Sequence, residues 1–334
     1  MGGIAVAVVG GGTSCEHDAS VASAASVGEA LAGIGYQVTA LTIDRGGRWL
    51  DAAGRPIGLT GAVELLASCA VAMPMLHGPG GEDGALVALC ELAGVPYVGS
   101  PLRAGALAMD RWATKLVAEA VGVRTAAGTL VTRDAAQHVA GMFAADLPLV
   151  IRPATYGASH GVSVARTQEE LVVGLEVGFA LDDRVLVEEV VHGREIDVAV
   201  LGSPGGNRMV APALEILAPE SGRFDVGTAY DGPARFLVPA PLSGAESSRL
   251  REAAVTMYDA LGCAGVTRVD FLLTDTGPVL GGVNTAPTLT AHSPVPRMFE
   301  AAGIGYPELL ALLVEDARVG ARSPVADGVA VAVS

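Results

Sequence analysis

A glycine-rich stretch between an apolar strand and an apolar helix constrains the fold of this chain more than any other segment. It reads His77-Gly78-Pro79-Gly80-Gly81-Glu82-Asp83-Gly84, with apolar runs at residues 69–75 before it and 85–93 after it. Glycines let backbone N–H groups approach a ligand closely, and Asp83 stands where a helix cap is expected. The pattern predicts a ligand-facing turn, with a plain glycine-rich connector as the alternative.

The segments around this turn alternate between strand and helix. Hydrophobic periodicity predicts strands at 4–9, 38–43 and 69–75 and helices at 19–32 and 83–93. This alternation predicts a parallel sheet, in which ligands gather at the carboxyl ends of the strands. Glu16 and His77 both follow such ends.

The remainder of the chain predicts two α+β modules after a boundary at Pro96-Tyr97-Val98-Gly99-Ser100-Pro101. The predicted domains are 1–99, an N-terminal α/β domain; 100–184, a small central α+β domain; 185–320, a larger C-terminal α+β domain; and 321–334, a flexible tail. Strands are expected at 126–131, 148–152, 162–164, 185–191, 195–201, 266–273 and 278–283, and helices at 111–120, 135–143 and 243–261.

Composition excludes several classes of partner. The formal charge is −15 over 334 residues, which disfavours nucleic acid and anionic membranes. No apolar run reaches a membrane-spanning length, and no basic residue precedes Arg45, so we expect a cytoplasmic protein. The four cysteines show no C-x-x-C spacing, which argues against structural zinc. Lys115 is the only lysine, against twenty arginines.

Competing sequence patterns fail on inspection. Gly10-Gly11-Gly12 is followed by Cys15 where a dinucleotide fingerprint needs its third glycine, and no G-x-x-x-x-G-K-[ST] or H-E-x-x-H is present. Rossmann redox chemistry and metal-dependent hydrolysis are therefore disfavoured.

Several motifs in chain order carry a resemblance to a known family. They are Val9-Gly10-Gly11-Gly12-Thr13-Ser14-Cys15-Glu16-His17, the turn 77–84, Thr267-Arg268-Val269-Asp270, Asn284-Thr285-Ala286-Pro287 and His292-Ser293. Together they resemble the D-alanine-D-alanine ligases of the ATP-grasp superfamily. The resemblance implies a three-domain ATP-grasp fold and an ATP- and magnesium-dependent carboxylate-amine ligase. It also implies an acyl-phosphate intermediate, a role in peptidoglycan precursor synthesis and a homodimer.

The same resemblance implies roles for individual residues. The magnesium ligands would be Asp270 and Asn284. The ATP contacts would come from Arg111, Arg152, Glu188, Glu189, Val191, Glu195 and Asn284. The amino-acid substrates would meet Glu16, His77, Tyr230 and Ser293. Arg268 has a physical case of its own, because it lies two residues before Asp270 on one face of a strand, where a guanidinium would stabilise a developing oxyanion.

This chain departs from the family pattern at several of these positions. A glutamate that bridges two ions in the family is Gly282 here, so one magnesium ion is expected and a second is doubtful. Arg111 and Arg152 stand where the family has lysines, and Ala229 replaces a third lysine. Thr288 replaces a glycine. Two alternatives therefore stay open: a ligase that joins other amino acids in specialised metabolism, and a catalytically impaired nucleotide- or ligand-binding paralogue.

Overall fold

A computed structural model describes residues 3–135, 143, 147–156, 161–202, 206–217 and 235–320. Tyr230, Ala229, the loop at 157–160, most of the predicted helix 135–143 and the tail 321–334 lie outside these residues. The described chain forms three β-sheets with helices between and around them. None of the helices described is long and apolar enough to cross a membrane.

The N-terminal sheet has the strand order β3-β2-β1-β4. Its elements are β1 Ala5–Gly11, α1 His17–Gly33, β2 Gln37–Ile43, β3 Trp49–Leu50, α2 Gly58–Ala67, β4 Val71–Pro74 and α3 Ala85–Leu92. Strand β1 pairs in parallel with β2 and β4, and β3 joins the edge in antiparallel fashion. The predicted parallel sheet is confirmed, with this short antiparallel edge added.

Strand β1 is apolar throughout because helices cover both faces of the sheet. Val6 and Val8 point into a core that also contains Val27 of α1, whereas Ala7 and Val9 point into a second core on the opposite face. The carboxyl end of β1 therefore emerges between two packed layers, and the segment that carries Glu16 follows directly.

The central sheet has the order β5-β8-β6-β7 and is antiparallel. Its region contains α4 Leu102–Met109, α5 Arg111–Ala120, β5 Gly128–Thr132, β6 Leu149–Pro153, β7 Ser163–Ala165, α6 Gln168–Leu181 and β8 Arg184–Glu189. Sequence reasoning missed α4 and α6. The buried face of α6 includes two glycines, and its exposed face carries Val172, Val173 and Val177, so the sequence shows little contrast between an apolar and a polar side.

The C-terminal sheet has the order β12-β11-β9-β13-β14, with β10 paired to β9. Its elements are β9 Arg194–Gly202, β10 Met209–Val210, β11 Leu214–Leu217, β12 Arg235–Leu237, α7 Gly244–Leu261, β13 Gly265–Thr274, β14 Gly277–Asn284, α8 Pro294–Ala301 and α9 Tyr306–Gly320. Helix α7 confirms the prediction for 243–261. A capping box between Ser243 and Glu246 fixes its start.

Strand β13 has two different faces. Val269, Phe271 and Leu273 are buried in the core with α7, whereas Arg268 and Asp270 lie half-buried on the other face. Helices α8 and α9, which were not predicted, cover part of that second face together with α1 in a single core. The polar face of β13 thus opens toward the N-terminal sheet.

Candidate active site

Residues from all three sheets meet at one cleft. His77 Nδ1 lies 3.2 Å from the Ala286 carbonyl, which links the turn after β4 to the loop after β14. Arg152 of β6 donates from Nη1 to the Gly281 carbonyl of β14 at 3.4 Å. The ends of the N-terminal, central and C-terminal sheets therefore enclose a shared space.

The glycine-rich turn adopts a backbone that a larger residue would strain. Gly84 has a φ of +87°, and a Cβ built on it would lie 2.8 Å from Leu102 Cα. The Asp83 carboxylate accepts from Gly80 N at 2.8 Å and from Ala85 N at 2.9 Å. The carboxylate thus bridges the turn, but the predicted helix cap at Asp83 is wrong, because α3 begins at Ala85 with Gly84 as its N-cap, two residues later than predicted.

His77 is a structural link between sheets in this conformation. The side chain is 3% exposed, and Nε2 lies 2.9 Å from the Ser23 hydroxyl. Because the Ala286 carbonyl only accepts, Nδ1 carries the proton and Nε2 accepts from Ser23. Burial lowers the pKa of His77 to about 4, so the ring is neutral. Both ring nitrogens are engaged by protein, which favours a positioning role over the direct substrate contact that was expected.

Glu16 and Ser293, which were expected to bind substrate, lie beside Gly78 and at the start of α8, respectively. The Glu16 carboxylate is placed beside Gly78, where a Cβ would come within 3.1 Å of its Oε1. Ser293 is buried at the N-cap of α8, and its hydroxyl lies 2.6 Å from the Thr290 hydroxyl. A carboxylate and a helix N-terminus suit the ammonium and carboxylate groups of an amino acid, respectively.

Arg268 and Asp270 form a bidentate ion pair on β13. Arg268 Nε donates to Asp270 Oδ1 at 2.6 Å, and Nη2 donates to Oδ2 at 2.9 Å. On the adjacent strand β14, Asn284 pairs with Arg268 and Gly282 pairs with Asp270. The structure places Arg268 and Asp270 on one face of β13, as their spacing predicted, and brings Asn284 opposite Arg268.

Glu82 is a site residue to which the sequence analysis gave no role, although it belongs to the opening motif. Its Oε1 accepts from Asn284 Nδ2 at 3.4 Å, and Asn284 Oδ1 accepts from Ala286 N at 2.9 Å. Burial, followed by the charge of Glu16, raises the pKa of Glu82 to about 8. The raised pKa favours the protonated form of Glu82 at neutral pH, and its Oε1 contacts the amide of Asn284.

Two acidic residues of β9 face the same cleft. Asp197 pairs with Asp270 across β9 and β13, and Glu195 pairs with Leu272. Burial, followed by the charge of Asp270, raises the pKa of Glu195 to about 7 and that of Asp197 well above its ordinary value. Sequence reasoning named Glu195 but missed Asp197. The signal was available, because residues i and i+2 of a strand share a face.

The central sheet contributes a buried ion-pair cluster, which we call the paired cluster: Lys115, Glu188 and Arg152. Lys115 Nζ lies 2.7 Å from Glu188 Oε1, and Arg152 Nη2 lies 2.5 Å from Glu188 Oε2. Burial alone would raise the pKa of Glu188, but the charges of Arg152 and Lys115 outweigh it and hold the pKa below its usual value. The only lysine of the chain is thus buried in this cluster.

The other expected nucleotide contacts lie around the paired cluster. Arg111 Nη2 donates to the Tyr156 carbonyl at 3.4 Å, and burial, followed by the charge of Arg152, lowers the Arg111 pKa to about 10. Glu189 Oε1 accepts from Ala127 N at 2.8 Å, and Val191 follows β8 in half-buried backbone. Of these residues, Arg111 lies near β14, with its Nη1 4.0 Å from a Cβ built on Gly282.

The donor set on β9, β13 and β14 fits a hard cation. Asp197 is 1% exposed, and neither of its carboxylate oxygens accepts a hydrogen bond from any residue that the structure describes. Asp270 and Asn284 add oxygen ligands of the type that Mg²⁺ prefers. Within the described ranges no group of three or more His, Cys, Asp or Glu side chains is arranged to hold a metal by itself. An ion here would take further ligands from water and phosphate.

Comparisons with known proteins identify what this arrangement is similar to. Residues 57–100 match the family described as D-ala D-ala ligase N-terminus, and residues 117–315 match D-ala D-ala ligase C-terminus. The D-alanine--D-alanine ligase of Mycolicibacterium gilvum is 36% identical over 355 residues, covering 94% of this chain and 97% of the relative. That of Mycobacterium avium is 36% identical over 362 residues, covering 94% and 96%.

Solved structures agree with these sequence relatives. The VanG D-Ala:D-Ser ligase from Enterococcus faecalis superposes with a TM-score of 0.82 at 30% identity, covering 94% of this chain and 99% of that one. The D-alanine-D-alanine ligase from Coxiella burnetii gives a TM-score of 0.82 at 27% identity, covering 96% of each chain. The fold is that of the ATP-grasp ligases.

Proposed function

This chain belongs to the D-ala D-ala ligase family, and on that premise we propose that it joins two molecules of D-alanine at the expense of ATP, with magnesium as the cofactor. The observation that carries the proposal is the face of β13 and β14. There Arg268, Asp270 and Asn284 lie side by side, and Arg152 of the central sheet reaches β14 at Gly281. The dipeptide product would serve peptidoglycan precursor synthesis.

The reaction would proceed in two balanced steps. A carboxylate oxygen of the first D-alanine attacks the terminal phosphorus of ATP, the bond from that phosphorus to ADP breaks, and an acyl phosphate forms. The amine of the second D-alanine then attacks the acyl carbon, phosphate leaves, and a proton is released. Phosphoryl transfer of this kind depends on positioning and on compensation of negative charge, so the protein needs no covalent intermediate of its own.

Each wall of the cleft would serve one part of this chemistry. Glu16 would hold the ammonium of the first substrate. Arg111 and Arg152 would neutralise the phosphates, and Asp270 with Asn284 would hold the metal ion, which compensates phosphate charge when bound. Arg268 would stabilise the oxyanion as the acyl carbon becomes tetrahedral.

Arg111 and Arg152, which stand where the family has lysines, keep the positive charge expected near the phosphates but change its geometry. The guanidinium is a planar fork that suits phosphate, and Arg152 is already oriented by Glu188 at 2.5 Å. Twenty of the chain's basic residues are arginines, so Arg111 and Arg152 follow a preference of the whole chain. Their presence therefore supports retention of nucleotide binding.

The test is a turnover assay of the purified protein with ATP, Mg²⁺ and D-alanine. We expect one phosphate and one ADP for each D-alanyl-D-alanine formed. D-serine as the second substrate is included because one structural neighbour is a D-Ala:D-Ser ligase. Turnover only with amino acids other than D-alanine would replace the proposed substrate, and ADP binding without any dipeptide would contradict the enzymatic proposal.

A further inference from the structure

Gly282 leaves an open position beside Asp270. It pairs with Asp270 across β13 and β14, and a Cβ built on it would meet nothing closer than Arg111 Nη1 at 4.0 Å. The resembled family carries its bridging glutamate at this position. In this chain, therefore, the strand β14 offers Asp270 no carboxylate partner.

A carboxylate stands on the other side of Asp270. Asp197 of β9 is the residue directly opposite Asp270 in the register of β9 and β13, just as Gly282 is in the register of β13 and β14. Directly opposed residues of an antiparallel pair place their side chains on the same face, with Cβ atoms about 4.5–5.5 Å apart. Because β13 is the middle strand, a carboxylate on either neighbour can share a cation with Asp270.

The surroundings of Asp197 favour the binding of a positive charge beside its carboxylate. The side chain is 1% exposed, its oxygens accept no hydrogen bond within the described part of the chain, and Arg268 Nε lies at 3.4 Å. Arg268 makes its short bonds, of 2.6 and 2.9 Å, to Asp270. An ionised carboxylate buried in this way is costly unless a cation or a proton neutralises it.

Counting charges on this face favours a cation. We call the residues Glu195, Asp197, Asp270 and Arg268 the acidic face; it holds three carboxylates and one guanidinium on adjacent strands. A divalent ion would balance the surplus and would take carboxylate oxygens from Asp197 and Asp270. A proton shared between these two aspartates is the competing occupant.

We propose that Asp197 supplies the carboxylate that Gly282 lacks, so that the divalent cation of this ligase is held by Asp197 and Asp270 across β9 and β13. The metal-binding carboxylate would thus lie on β9 in this chain, whereas the family carries it on the strand that corresponds to β14. The inference rests on the proposed function, because the ion completes its shell with nucleotide phosphate.

The test measures Mn²⁺ binding to the full chain saturated with ADP, with free Mn²⁺ followed by electron paramagnetic resonance. Asp197→Asn, which keeps the shape and removes the charge, is expected to weaken Mn²⁺ binding about tenfold or more. Affinity for ADP without metal should not change. The matched control is Glu215→Gln, which removes a buried carboxylate of the same sheet that pairs with Arg194 at 2.7 Å; Mn²⁺ affinity should be unaffected.

A double variant tests whether a carboxylate on β14 can replace the one on β9, or whether Asp197→Asn acts only by removing negative charge. Asp197→Asn combined with Gly282→Glu should recover most of the lost Mn²⁺ affinity, while Gly282→Glu alone should change it little. Equal Mn²⁺ affinity in Asp197→Asn and the parent chain would overturn the inference and leave the proposed function intact. A tenfold or greater gain from Gly282→Glu alone would also overturn it, without requiring Asp197→Asn to fold. Absence of ADP binding in the parent chain would instead refute the proposed function.

Discussion

The paired cluster and the acidic face line the same cleft but have opposite balances of charge. In the paired cluster one carboxylate, Glu188, meets two cations at 2.5 and 2.7 Å. In the acidic face three carboxylates share one guanidinium, and Asp197 accepts no hydrogen bond from the described residues. The first region is neutralised by its own side chains, whereas we propose that a bound cation completes the second. We therefore expect loss of a carboxylate to destabilise the fold in the paired cluster. In the acidic face, we expect it to impair ligand binding while slightly stabilising the metal-free protein.

The largest effect on stability is expected in the paired cluster. Glu188→Gln leaves the buried Lys115 and the half-buried Arg152 without a carboxylate, and we expect the free energy of unfolding to fall by about 3–5 kcal/mol. Denaturant-induced unfolding measures this change. Glu215→Gln is the matched control, because its one partner, Arg194, is more exposed and should cost only about 1 kcal/mol. Equal losses in the two variants would show that the double pairing of Glu188 adds nothing.

The largest effect on catalysis is expected in the acidic face. Arg268→Lys keeps the charge but loses the bidentate hold on Asp270, so kcat should fall about 100-fold. Arg194→Lys breaks a bidentate pair of the same geometry with Glu215 on the same sheet, outside the cleft, and should leave kcat nearly unchanged. Steady-state kinetics with D-alanine decides between them. A similar kcat in both variants would remove Arg268 from the proposed chemistry.

The two regions should also respond to pH with opposite signs. The pKa of Glu195 is raised from 4.5 to about 7, so the folded chain binds the extra proton between these values and loses stability as pH rises through them. The pKa of Glu188 is lowered, so its contribution is present above 4.5 and is lost as pH falls. In the metal-free parent chain, the free energy of unfolding should fall by about 1–3 kcal/mol between pH 4.5 and 7 because of Glu195, and this fall should be absent in Glu195→Gln.

The measurement is the Tm of the parent chain and the variant at matched pH values in chelator. Addition of Mg²⁺ and ADP should reduce the same pH dependence in the parent chain, because bound cations favour ionised carboxylates. A parent chain whose stability rises steadily from pH 4.5 to 7, with Glu195→Gln behaving identically, would contradict the assignment.

The smallest expected effect is an increase in stability, in contrast to the loss expected for Glu188→Gln. Asp197→Asn should raise the free energy of unfolding of the metal-free protein by about 1 kcal/mol, because it replaces a buried carboxyl group, whose ionised form is disfavoured by burial and by the charge of Asp270, with a neutral group of equal shape. Chemical denaturation in chelator measures the gain. Residues that bind ligands commonly cost stability in the free protein. A loss of more than about 1 kcal/mol would show that Asp197 is already neutralised by Arg268.

The sequence predicted the parts of this molecule that depend on local order. The alternation of strands and helices around the turn 77–84 indicated the parallel sheet, and the i, i+2 relation placed Arg268 beside Asp270. The family resemblance suggested Asn284 as a metal ligand together with Asp270; the structure places Asn284 opposite Arg268 on the neighbouring strand, and its role as a ligand stays a prediction.

What the sequence did not predict depends on contacts distant along the chain. The pairing of Lys115 with Glu188 joins residues 73 positions apart, and that of Glu82 with Asn284 joins residues 202 apart. The i, i+2 spacing places Asp197 on the same strand face as Glu195, but its position opposite Asp270 follows from the register of β9 against β13, which no local pattern reports. Helix α6 was missed because valines on its exposed face and glycines on its buried face weaken the contrast between the two sides.

Isotope transfer from the substrate to phosphate tests the central claim most directly. The chain is incubated with ATP, Mg²⁺ and D-alanine whose carboxylate carries ¹⁸O, and the released phosphate is analysed by mass spectrometry. If the carboxylate attacks the terminal phosphorus and leaves with it, each phosphate formed with dipeptide carries one ¹⁸O atom from D-alanine. Release of unlabelled phosphate would mean that water attacks ATP, and it would contradict the assignment of this cleft as a carboxylate-amine ligase.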